Sequence, residues 1–159
     1  MKKILTGLLL VLLGTISLNS YSESTVESLS PELRALLQQE MQAIQGGMQN
    51  IIPAFAAGDL DKVADIAEKI SNSYILKQRL SESQKHELHK KLSTDFIAKD
   101  EAFHKYAGML EHVSKAGHTE LVGFYYSKLM VSCVGCHSEH AQHRFPIFTK
   151  TLEVKEHHH

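Results

Sequence analysis

Apolar residues recur every three or four positions through most of the chain, and no stretch alternates apolar with polar residues, so the pattern predicts helices throughout. The first helix opens at Ser30-Pro31, a capping serine followed by proline at the first helical position, where a backbone N–H has no partner anyway. It carries Leu37, Met41, Ile44, Met48, Ile51 and Phe55 at spacings that alternate between four and three, the narrow seam of a bundle, and closes at Gly58. Pro53 lacks a donor and crowds the carbonyl of Gln49, which predicts a kink or an early end. A second helix from Asp59 sets Leu60, Val63, Ile66, Ala67, Ile70 and Tyr74 on one face. A long connection follows, in which a capping box of Ser81 and Gln84 starts a short helix through Leu88 and Leu92. The third long helix begins between Ser93 and Asp95, buries Phe96, Phe103, Ala107, Leu110 and Val113, and stops at Gly117. The fourth runs from about His118 through Leu121, Tyr125, Leu129 and Cys136 to about His143, ahead of Pro146. The expected fold is all-α, an antiparallel four-helix bundle with one long crossover.

The N-terminal 22 residues break this pattern. Met1-Lys2-Lys3 precedes an apolar run from Leu8 to Leu13 and small polar residues at Ser20 and Ser22, the anatomy of a cleaved export signal whose apolar core is too short to span a bilayer. No cysteine follows that run, so a lipid anchor there is excluded. The expected organisation is a leader over residues 1–22, a flexible segment over 23–29, one helical domain over 30–148 and a tail over 149–159. His157, His158 and His159 in that tail are read as a tag remnant or a native end without function. Loss of Lys2 and Lys3 with the leader takes Lys plus Arg from 17 to 15 against 18 Asp plus Glu, a net charge of −3. That balance gives no basic stripe for nucleic acid and no polybasic anchor for a membrane. It is too slight to nominate a protein partner.

Both cysteines of the chain stand in Cys133-Val134-Gly135-Cys136-His137, which reads C-x-x-C-H, the pattern of covalent haem attachment. Two thiols add across the two vinyl groups of haem to form thioethers, and the adjacent imidazole binds iron from one side. On a helix these positions are i, i+3 and i+4, a shared face. His137 is then the proximal ligand, its other ring nitrogen expected to donate to a carbonyl, carboxylate or water. Other readings of the pair are a thioredoxin-like redox motif, a zinc half-site completed by His137, His140 or His143, and a disulfide. The first lacks a preceding strand, the second lacks a further ligand pair, and the third leaves His137 unexplained. Bacterial haem attachment of this type takes place outside the cytoplasmic membrane, so the motif and the leader agree on a periplasmic protein.

A helical chain with a single C-x-x-C-H in its last helix resembles the class II c-type cytochromes, which include cytochrome c-prime and the low-spin cytochrome c556. The similarity covers about Leu33 to Phe148 and includes Met41 in the first helix, Gly46-Gly47-Met48 after it and the turn Ala57-Gly58-Asp59. It implies one covalent haem lodged between helices near the C-terminal helix, electron transfer with unnamed redox proteins, and a homodimer through the first two helices. It also implies that the position matching the distal methionine of cytochrome c556 is Met41, which with His137 would give six-coordinate, low-spin iron. Met48, two turns on, is the rival. The alternative is a five-coordinate protein of the cytochrome c-prime type, open to nitric oxide or carbon monoxide, in which Met41 only packs, as methionine on a helical seam ordinarily does. Met109 and Met130 lie on the last two helices, Met130 on the haem-bearing one. His104 is a further ligand or propionate candidate, and Arg34 and Arg144 are propionate candidates. No nucleophile elbow, metalloprotease helix motif or phosphate loop is present, so an enzyme is not expected.

Overall fold

Every regular element among the described residues, 26–150 of this computed structural model, is helical. The segment expected to be a leader, and all but the start of the tail, lie outside the described residues. After a short 3-10 turn at Val26–Ser28 come α1 (Pro31–Ala56), α2 (Leu60–Ser71), α3 (Leu76–Arg79), α4 (Glu82–Lys91), α5 (Thr94–Lys115), α6 (Thr119–His140) and α7 (Ile147–Lys150). The long helices pack in a bundle-like arrangement, α1 on α2, α2 on α5 and α5 on α6. No helix among the described residues is long and apolar enough to cross a membrane.

The local signals act as their chemistry requires. Asp59 and Ser93 accept hydrogen bonds from the third residues of α2 and α5, and Ser81 and Gln84 close a reciprocal capping box at α4. Gly58 and Gly117 take positive φ values of 75° and 73° where α1 and α5 give way to the next helix. Pro53 does not end α1, which continues to Ala56. Pro53 and Gln49 are both exposed, so the carbonyl that loses its donor faces water, and the Ala57 N–H donates back to Pro53 at 3.1 Å.

Ile44, Met48 and Ile51 of α1, Val63, Ala67 and Ile70 of α2, Ala107, Leu110 and Val113 of α5, and Val122 and Leu129 of α6 share one core. A second cluster joins Leu29, Leu33 and Leu37 to Leu92, flanked by Leu80, Leu88 and Phe96 of the crossover and early α5. On α6 Leu129 is buried as its spacing implies and Tyr125 packs against the core, but at the start of the helix Val122 is buried in place of Leu121, which is 45 % exposed.

The seam expected on α1 is broken at Met41, which is 38 % exposed, while its neighbour Glu40 is 1 % exposed. Burying a carboxylate is costly unless its oxygens are satisfied. Here they accept the backbone N–H groups of Tyr74 (2.9 Å), Ile75 (2.6 Å) and Leu76 (3.2 Å). Ile75, the residue capping α3, has no side-chain acceptor, so Glu40 supplies from α1 what a serine or aspartate would supply locally. The crossover is thereby fastened to the first helix, and it contains α3 as well as the one helix expected.

Gly47 lets α1 come close to α2 and the residues after it: a Cβ there would come within 2.6 Å of the Tyr74 hydroxyl and 3.3 Å of Ile66 and Ile70. Gly47→Ala is expected to force these groups apart and lose about 1–3 kcal/mol of stability, measured by urea unfolding. Gly46→Ala, with nothing near its Cβ, serves as the control.

Candidate haem site

α6 runs on past Leu129 into its last turns without a glycine or proline break other than Gly135, so Cys133, Cys136 and His137 fall on one helical face, and all three are half-buried. Both thiols are free. Burial raises the Cys133 thiol above its usual range, and burial aided by the Asp100 carboxylate pushes Cys136 up to about 11. Burial also lowers His137. Near neutral pH the site therefore offers two protonated thiols and an uncharged imidazole.

That chemistry separates the readings of the cysteine pair. Redox-active thiols are stabilised as thiolates near helix N-termini or cations, whereas these lie in the C-terminal half of α6 and are shifted the other way. The zinc half-site fails on geometry. Among the described residues the ligand atoms that converge within reach of one small ion belong to Asp95, Glu139 and His140, and the cysteines are not among them. The Lys99 ammonium already lies 2.6 Å from Asp95 and 2.5 Å from Glu139, and His140 Nε2 lies 2.9 Å from Asp95. This group ties the base of α5 to the end of α6. His143, the other proposed completing ligand, pairs with Glu27.

Two contacts establish how α1 runs beside α6. Glu27, ahead of α1, meets His143, beyond α6, at 2.6 Å, and further along the Tyr126 hydroxyl donates to the Met48 carbonyl at 3.3 Å. Rising numbers on α1 thus meet falling numbers on α6, and the two are antiparallel. Seven residues make two helical turns, about 10 Å, and return to nearly the same face. Stepping from Met48 back to Met41 and from Tyr126 on to Cys133 keeps the helices level. Met41 therefore stands at the height of Cys133, and Cys133 lies on the face of α6 that Tyr126 presents to α1.

Met41 and Met48 also share a face by the same count, yet Met48 is 9 % exposed in the core and Met41 is not covered. The packing that seals this face at Met48 does not extend to the level of the cysteines. On α6 the apolar Met130 and Val134, beside Cys133, are likewise uncovered, at 45 % and 53 %. Two free thiols on one helix, a neutral imidazole next to the second and uncovered apolar side chains on both helices suit a flat, apolar group joined through two thioethers. The residues present fit haem.

His137 differs from expectation in one respect. Neither of its ring nitrogens makes a hydrogen bond among the described residues; instead the Phe145 ring stacks on the imidazole, centroids 4.5 Å apart and planes 18° apart. α6 ends at His140, three residues short of the expected limit, and the turn after it folds Phe145 back. His104 is held inside the bundle, its Nδ1 2.7 Å from the Ile70 carbonyl and its Nε2 3.5 Å from Asp100, a structural role. Arg34 and Arg144 are exposed and Met109 is half-buried. Sequence reasoning missed Tyr126 and Phe145. Tyr126 was visible as the residue two turns before Cys133, but Phe145 lies in a turn, where no periodicity marks it.

No family model, curated protein or solved structure matches this chain.

Proposed function

We propose that this chain is an exported, periplasmic monohaem c-type cytochrome of the class II kind, an antiparallel four-helix bundle that carries electrons between redox proteins. The observation that carries the reading is the shared, half-buried face of Cys133, Cys136 and His137, standing level with Met41 on the antiparallel neighbour. A bound haem supplies a one-electron iron couple; the protein supplies attachment, orientation and exclusion of water. Cys133 and Cys136 would hold the macrocycle by thioethers, and His137, kept neutral by burial, would present a nitrogen lone pair to iron. Met41 would close the opposite side, since a thioether ligand raises the potential and leaves no open position. Met48 is used in core packing, which favours Met41 of the two. The apolar side chains of Met130 and Val134 would be covered by the ring, which lowers the local dielectric and limits access of water.

The reading with an open distal side, a cytochrome c-prime-type binder of nitric oxide or carbon monoxide, draws on the exposure of Met41. Absorption spectra of the haem-loaded protein with and without carbon monoxide separate the two. The expected result is a low-spin spectrum unmoved by the gas, converted in Met41→Ala to one that shifts on carbon monoxide and has a lower potential. A wild-type spectrum that is high-spin and shifts with the gas overturns methionine ligation and leaves the gas-binding reading.

A further inference from the structure

We infer that Phe145 is the positioning residue for the proximal imidazole, setting the plane of the His137 ring by stacking. The inference rests on the haem reading above. A ligating histidine is ordinarily aimed by a hydrogen bond from its second ring nitrogen, and that bond fixes both tautomer and plane. His137 has no such bond among the described residues, and its ring instead lies nearly parallel to that of Phe145, 4.5 Å between centroids and 18° between planes. Stacking opposes rotation of the imidazole about its Cβ–Cγ bond, which sets the ring plane, without hydrogen-bonding either nitrogen.

The backbone holds Phe145 to this task. The Ala141 N–H still donates to the His137 carbonyl at 3.2 Å, and the Phe145 N–H donates to the carbonyls of Ala141 and Gln142 at 3.1 Å each, which turns the chain back over the last turn of α6. Pro146 follows and restricts the backbone of Phe145. The Phe148 ring lies beside it, centroids 6.3 Å apart and planes tilted by 56°. Phe145 itself is 39 % exposed and belongs to neither core cluster, so filling the interior does not explain an aromatic there.

The plane of an axial imidazole decides which iron d orbital it overlaps, and the spread of haem-methyl resonances in the oxidised protein reports that plane. The test compares wild-type holoprotein with F145Y, which keeps the stack, and with F145L and F145M, which keep bulk and lose the ring. The haem-methyl pattern is expected to be retained in F145Y and displaced in F145L and F145M, with one covalent haem in every variant. A wild-type pattern in either ring-less variant overturns the inference while the haem reading stands. Failure of both ring-less variants to retain haem also overturns it, making Phe145 a folding residue. Wild-type protein that attaches no haem overturns both the inference and the reading beneath it.

Discussion

Cys133→Ala combined with Cys136→Ala is expected to abolish covalent haem altogether. The two thiols are the chain's full cysteine complement, so no other side chain can attach haem covalently, and haem held only by axial ligands is released when the chain is denatured. Produced in a host that attaches haem outside its cytoplasmic membrane, wild-type protein is expected to keep haem through a denaturing gel and the double variant to run colourless. Each single variant is expected to keep one thioether and a reduced haem stain. The core shared by α1, α2, α5 and α6 includes neither cysteine, so the circular dichroism of the double variant is expected to remain helical. Haem that stays bound to the denatured double variant would contradict the assignment of both cysteines.

Glu40→Ala is expected to destabilise the fold as strongly as truncating a buried core side chain. Its carboxylate receives three backbone N–H groups at the start of α3, and truncation leaves these donors without partners in a buried position. Unsatisfied buried donors cost about 1–3 kcal/mol each, and partial hydration of the opened site brings the expected total to about 3 kcal/mol. Glu40→Gln keeps one acceptor oxygen and should lose less. Urea unfolding followed by circular dichroism gives the ranking, wild type above Gln above Ala; equal midpoints for all three would show that the crossover does not depend on Glu40.

The particular residues also show what a one-dimensional pattern can and cannot carry. Asp59, Ser81, Ser93, Gly58 and Gly117 were legible because capping and positive φ are local demands met by few residue types. The cysteine and histidine face was legible because helical spacing alone aligns positions i, i+3 and i+4. Met41 was read as part of a buried seam because its spacing matches Met48, and spacing is blind to what stands opposite. Met48 is buried in the shared core and Met41 is 38 % exposed, a difference set by packing between helices far apart in the chain. Glu40 was invisible for the same reason, since its partners lie in a crossover 34 to 36 residues away. Phe145 owes its place on the His137 ring to a turn whose path no periodicity encodes. The sequence, in short range, specified the helices and the chemistry of the motif; the long-range contacts specified which side chains close over it.

The central claim is that Cys133 and Cys136 join one haem to this chain. Its most direct test is the intact mass of the full-length protein, purified from a haem-attaching host and measured under denaturing conditions with the cysteines challenged by a thiol-alkylating reagent. The expected mass is that of the chain after removal of residues 1–22 plus one haem, with neither cysteine alkylated. The mass of the bare chain carrying two alkyl groups would contradict the claim.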